Sequence, residues 1–296
     1  MAYTLFVGDY AYSSWSLRGW LLFDAFGIAR KIHKAHMNTD AFKAMQREMA
    51  PARLVPAVRI DDAAEPLMVW DSLALAETLH ERHLAAGLWP GHAQQRVTAR
   101  SIAAEVHSGF SALRGACPMN LRRAYAGFEP DEGVSADVAR LEQLWSYAKL
   151  RHGLRGPYIA GDSYTAADAF LTPIAARIAT YALPVGAGFG TYLEKLLAHR
   201  SFRRWRAMAM ADGHLQAHYE FDFADRDDPY KPARTGRPVA DVGAENAACP
   251  FSGKPVSPDS LVEIQGRVIG FCNTFCRDKV AADPDAWPEV AALLGT

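Results

Sequence analysis

Ser13, Ser14 and Ser16, interrupted only by Trp15, stand just before a run of apolar residues with helical spacing. Serine hydroxyls at such a place accept from the first free N–H groups of a helix, or donate to an anion at its positive end. Further on, Val55-Pro56 leads into a short β-like run, and Asp71-Ser72 opens another helical one. An X–Pro pair is the common route to a cis peptide bond. A carboxylate at a helix's first turn can take an ammonium while the adjacent hydroxyl and amides take a carboxylate. A second constellation lies far away in sequence: Cys249, then 22 residues, Cys272, then three residues, Cys276. Thiolates in such a set suit Zn²⁺ or Cu(I). Cys117 stands alone and reads as a buried or interfacial thiol.

The elements that must position these residues follow from periodicity. Residues 3–8 form a strand-like run ending at Gly8, and the helical face of Leu17, Trp20, Leu21 and Phe23 to Phe26 follows the serines. A weaker strand at 31–36, a helix at 40–49 stopped by Pro51, strands at 57–60 and 67–70, and a helix from Asp71-Ser72 to about Leu84 complete the order β-α-β-α-β-β-α. A helical crossover between strands implies parallel pairing, and a short turn implies an antiparallel hairpin. From Gly91 to Phe221 strand signals vanish; residues 93–115, 135–152, 166–182 and 190–212 have helical spacing and suit a bundle. Thr165 and Asp168 form a helix start resembling a capping box. Residues 222–247, rich in proline and charge, read as an extended linker.

With 296 residues, half of them hydrophobic and 22% charged, the chain has room for two domains plus a small module. A formal net charge of −1 excludes a global positive field for nucleic acid or anionic membranes. The run Arg200-Ser-Phe-Arg-Arg-Trp-Arg206 reads as a solvated helix face. No apolar stretch approaches the ~18–20 residues of a membrane span, and the first residues lack signal-peptide features. The expected setting is cytoplasmic and reducing, with thiols rather than disulfides.

The serine run, Val55-Pro56 and Asp71-Ser72, in that order over residues 3–220, resemble the glutathione transferase family. The Ser-Ser-x-Ser-x-Arg stretch is most similar to its serine-type classes, including the zeta-class maleylacetoacetate isomerases. The resemblance implies a thioredoxin-like α/β domain over 1–85 that binds glutathione and an all-helical domain over 91–221. It implies that Ser13 faces the glutathione sulfur, with Ser14 and Ser16 as alternatives. Pro56 is expected to be cis, with the Val55 backbone pairing the tripeptide, while Asp71 and Ser72 hold its γ-glutamyl end and Arg53 touches it. A free thiol of pKa about 8.5 is only a few per cent ionised at neutral pH. Lowering that value by about 2 units requires about 2.7 kcal/mol of selective anion stabilisation, which a hydroxyl and helix amides can provide. Tyr10, Tyr12, Trp15 and Arg122 are expected to line the pocket of a small electrophilic second substrate, for conjugation or isomerisation. A homodimer is the expected assembly, with no nucleic-acid or membrane partner.

Residues 248–296 resemble YHS/TRASH-type metal-associated modules, with a Cys-Pro knuckle at Cys249, a β-hairpin turning at Gln265-Gly266, Cys272 at its end, and Cys276 opening a helix to Ala282. A unit this small needs a staple beyond its core. No histidine follows His218, so a fourth ligand must come from Asp278, Asp283, water or another chain. Ser252 stands where some modules carry another cysteine, and a docking module or a redox thiol pair are the alternatives to a metal site. The alternative to an enzyme is a non-catalytic glutathione- or metal-binding protein on the same scaffold.

Overall fold

Tyr3–Val7 (β1) is buried along its whole length, as a strand covered on both faces must be. The computed structural model describes residues 2–62 and 65–295. After β1 come α1 (Ser14–Asp24), β2 (Lys31–Lys34), α2 (Asp40–Glu48), β3 (Ala57–Ile60), β4 (Leu67–Trp70) and α3 (Ser72–Arg82). The sheet order is β2-β1-β3-β4. The crossover through α1 makes β1 and β2 parallel, while β3 runs antiparallel to both β1 and β4. Alternation along β1 divides two layers. Phe6 packs with Met45 of α2 and with Met49 just beyond its end, whereas Leu5 points to α1 near Gly19. This is the thioredoxin-like arrangement expected.

Six helices follow: α4 (Ala93–Ser108), α5 (Ser111–Ala116), α6 (Glu132–His152), α7 (Ala166–Thr180), α8 (Ala187–Ala198) and α9 (Arg200–Ala211). The single helix expected over 93–115 is broken. Phe110 is left-handed at φ 63°, and a Cβ at Gly109 would meet the Glu105 carbonyl at 2.9 Å. The run 190–212 is likewise two helices, divided where His199 turns extended. α7 is the buried centre, and its start is set by Asp168. That carboxylate accepts from the Thr165 N–H and hydroxyl, both at 2.8 Å, and from the Ile159 N–H and Tyr192 hydroxyl, both at 2.9 Å. The region is not free of strands: β5 (Tyr125–Ala126) pairs antiparallel with β6 (Ala224–Asp225). No helix among the described residues is long and apolar enough to cross a membrane.

The chain divides into two compact units, one of residues up to Phe202 with Gln216–Pro229, the other of Arg203–Leu215 with the residues from Tyr230 onward. In the second unit, β7 (Arg237–Val239), β8 (Leu261–Ile264) and β9 (Arg267–Gly270) form an antiparallel sheet in that order. It is followed by α10 (Thr274–Ala282) and α11 (Pro288–Leu294). The hairpin turns at Gln265 and Gly266, both at positive φ, as a two-residue turn between twisted strands requires. Two expectations change here. Residues within 222–247 supply β6 and β7, because their backbone finds pairing partners. The arginine run is no solvated face: Arg203 forms two hydrogen bonds to Asp283 at 2.6 and 2.8 Å, Arg204 donates to the Ala286 carbonyl, and Arg206 is buried beside Tyr230.

Candidate functional site

A cavity of about 890 Å³ opens where α1 and α3 begin and where the chain enters β3. Its lining includes Ser13, Trp15, Arg53, Val55, Pro56, Asp71 and Ser72. Residues up to fifty-nine positions apart therefore share one wall, brought there by the β-α-β-α-β-β-α winding. Lys43, Gln46 and His107 also line it.

The three serines have different surroundings. Ser13 is the N-cap of α1: its Oγ accepts from the Ser16 N–H at 3.2 Å, and its hydroxyl donates to Ser16 Oγ at 2.7 Å. Ser16 Oγ also accepts the Gly8 N–H at 2.9 Å, tying the end of β1 to α1. Ser14 Oγ accepts from Arg177 at 3.3 Å. Only Ser13 of the three lines the cavity.

The Val55–Pro56 bond is cis, and so is Ala50–Pro51, which the sequence did not signal. A Cβ at Gly19 would lie 2.6 Å from Pro56 Cβ, so the glycine lets α1 approach the loop carrying Val55 and Pro56. Asp71 caps α3 from φ 73° and ψ 132°, outside the left-handed helical region and costly for any residue with a Cβ. Its Oδ1 accepts from the Leu73 N–H at 2.7 Å, and Oδ2 lies 3.1 Å from His107 Nε2. His107 Nδ1 lies 3.4 Å from the Ser72 hydroxyl. Burial pushes the His107 pKa down; Asp71 opposes this and Arg18 and Arg114 reinforce it. Nothing in the sequence marks this histidine, because only packing of α4 beside α3 brings it to Asp71.

The residues expected at the second-substrate pocket separate. Trp15 lines the cavity and meets the His107 ring edge-on at 5.1 Å. Tyr10, Tyr12 and Arg122 do not line it. Tyr12 is buried, its ring stacked on Tyr219 at 4.9 Å and its hydroxyl donated to Glu220 at 2.9 Å. Arg122 reaches that same hydroxyl at 3.5 Å. Tyr219 and Glu220, whose placement no periodicity announces, therefore turn Tyr12 into core, while Arg122 is half-buried beside it. Burial, then the Glu220 bond, raises the Tyr12 pKa.

In the second unit the sulfurs of Cys249, Cys272 and Cys276 all lie within 4.8 Å of one another. All four cysteines of the protein are free thiols. Burial raises the Cys249 pKa, but hydrogen bonds from the Cys272 and Phe251 amides and from Ser252 outweigh it, bringing the value down to about 7. Burial pushes Cys276 up to about 11. Cys276 does not open its helix; Asn273 caps α10 by accepting the Cys276 N–H at 2.8 Å. Of the fourth ligands considered, Asp278 is bound to Arg277 at 2.7 Å and Asp283 to Arg203. Ser252, in contrast, donates to Cys272 Sγ at 3.3 Å. The ammonium of buried Lys279 lies over the rings of Phe251 at 3.5 Å and Trp287 at 4.1 Å; burial pushes its pKa down, and Cys276, Glu289 and Cys249 oppose this.

Residues 12–82 match the family model of the glutathione S-transferase N-terminal domain. A Caenorhabditis elegans protein named as a probable maleylacetoacetate isomerase is 31% identical over 137 residues, 46% of this chain and 61% of that protein. The chain thus spans about three fifths of the curated relative it matches. Among solved structures, maleylacetoacetate isomerase from Anaeromyxobacter dehalogenans, with bound dicarboxyethyl glutathione and citrate, aligns at TM-score 0.52 and 23% identity over 75% of this chain and 99% of its own. Glutathione transferase Omega 3C from Trametes versicolor aligns at 0.51 and 18%, over 70% and 88%. At these identities the structural likeness establishes the fold, which is that of glutathione transferases. The family-model match is confined to a glutathione S-transferase N-terminal domain over residues 12–82.

Proposed function

We propose that this protein is a glutathione-dependent enzyme that holds the tripeptide's thiol as a thiolate for attack on a small electrophile. The observation that carries the reading is that Ser13, Arg53, Val55, Pro56, Asp71 and Ser72 share one cavity. Ser13 offers the hydroxyl nearest the positive end of α1, where a sulfur anion is favoured. Asp71 takes the γ-glutamyl ammonium, Ser72 and the α3 amides take its carboxylate, and the Val55 backbone pairs the cysteinyl unit. The thiolate then forms a bond to an electrophilic carbon. A departing group completes a conjugation; addition to a double bond followed by loss of the same sulfur completes an isomerisation. The match to a maleylacetoacetate isomerase favours keeping both outcomes in the assay. A cytoplasmic homodimer is the assembly inferred.

Glutathione titration by calorimetry and turnover with a halogenated nitrobenzene test the reading. Ser13→Ala is expected to lower turnover by about a hundredfold while glutathione still binds. Absence of binding to the wild-type protein overturns the proposal. Unchanged turnover in Ser13→Ala moves the role to another group.

A second reading concerns Cys249, Cys272 and Cys276, whose mutual approach fits a soft metal such as Zn²⁺ or Cu(I) in a YHS/TRASH-like module. Three thiolates on Zn²⁺ leave one net negative charge, which Lys279 balances. Elemental analysis of untagged protein is expected to find one metal per chain, lost in Cys272→Ser; metal content indifferent to that substitution overturns it.

A further inference from the structure

Behind Trp15, which lines the cavity, and beside buried Ser14, three arginines meet with few partners. Arg18 is fully buried and Arg177 is 5% exposed. Arg18 lies over the Trp15 ring at 4.3 Å, and Arg114 lies over the same ring at 5.4 Å. Arg18 and Arg114 also converge on one acceptor, the Val106 carbonyl. Arg177 donates to Ser14, the residue next to Ser13. Nε and Nη1 of Arg18, Nη1 of Arg114, and Nε and Nη1 of Arg177 find no hydrogen-bond acceptor. None of the three forms an ion pair among the described residues.

Such a cluster is costly on its own. Burying a guanidinium without a counter-charge is strongly unfavourable, and three together repel one another. Burial depresses all three, and Arg114 adds to the effect on both Arg18 and Arg177. The groups facing them offer little negative charge. Asp71 acts on Arg18 but is already paired with His107. Asp137 acts on Arg114 while accepting the Leu113 N–H. Cys117, Tyr181 and Tyr219 face Arg177, and burial holds the Cys117 thiol neutral, with its pKa pushed up to about 12. Arg177 moreover sits at the N-terminal turn of α1, where the helix dipole is already positive. The excess positive charge is therefore concentrated beside the place assigned to a sulfur anion.

We propose that Arg18, Arg114 and Arg177 are positioning residues whose pooled positive charge keeps the glutathione sulfur ionised beside Ser13, an inference that rests on the glutathione reading above. They need not touch the sulfur. In a poorly screened interior, charges act over more than one hydrogen-bond length. Arg177 also orients the serine turn through Ser14.

The test is the titration of the bound thiol, followed by thiolate ultraviolet absorbance, in wild type, Arg177→Met, Arg177→Lys and Arg114→Gln. Arg177→Met is expected to raise the thiol pKa by about one unit, a tenfold loss of thiolate at neutral pH. Arg177→Lys, which keeps the charge, is expected to stay near wild type. Arg114→Gln, at a less deeply buried site, is expected to shift the same way as Arg177→Met and decides the matter if that variant does not fold. A thiol pKa unchanged in a folded neutral variant overturns this inference alone. Wild-type protein that binds no glutathione overturns it together with the reading on which it rests.

Discussion

Ser13 meets the cavity while Ser14 and Ser16 spend their oxygens on Arg177 and Gly8, so three chemically identical side chains receive separate tasks. Asp71 combines two. It caps α3 and presents a carboxylate to the cavity. Asn caps a helix as well as Asp and, with the same shape, meets the same backbone constraint at this position. Asp71→Asn is therefore expected to leave the melting temperature nearly unchanged while weakening glutathione binding, measured calorimetrically, about tenfold or more through loss of a charge-assisted contact. His199 offers a prediction about pH. It stacks on Tyr164 at 4.2 Å, and its Nδ1 accepts the Ser201 N–H, which suits the neutral ring. Burial lowers its pKa from 6.5 to about 4. The unfolded chain then binds more protons between those values, so stability is lost as pH falls through that window. His199→Phe is expected to move the acid-unfolding midpoint, followed by circular dichroism, to lower pH.

The elements decide how close the cavity walls come. Gly19 is the point where α1 passes Pro56, and no flexible side-chain end is available there to give way. Gly19→Ala improves helix propensity by up to about 1 kcal/mol, but overpacking of this kind costs about 1–3 kcal/mol. The expected result is a lower melting temperature together with a raised KM for glutathione, since α1 and the Val55-Pro56 loop are forced apart. The same reasoning explains why helix boundaries were harder to read than helix existence. Apolar spacing runs through 93–115, whereas the break at Gly109 and Phe110 depends on local backbone geometry.

At the scale of the whole molecule, chain proximity and spatial grouping part company. Arg203–Leu215 groups with the C-terminal residues, although its helical spacing continues that of the bundle before it. The join is specific: Asp283 is 5% exposed, and Arg203 supplies its charge partner. Arg203→Met leaves that carboxylate buried and unpaired, an arrangement that costs about 3–5 kcal/mol. A clear fall in the thermal transition of the second unit is expected, and its partial recovery in the double variant with Asp283→Asn.

Local patterns sufficed for the element order and strand pairings of the first 85 residues and for the hairpin at Gln265-Gly266, because periodicity and turn chemistry act over a few residues. They also marked the serine run, Val55-Pro56 and Asp71-Ser72 as candidate positions, to which the family resemblance attached roles in holding glutathione. Tertiary structure alone separated Ser13 from its neighbours, brought His107 to Asp71, and assembled Arg18, Arg114 and Arg177 from three helices. It also closed Tyr219 and Glu220 over Tyr12, removing it from the cavity Ser13 faces. The physical reason is one of range. Burial and charge clustering depend on which segments meet in space, and a stretch such as 216–221 carries no periodicity that announces where it will lie.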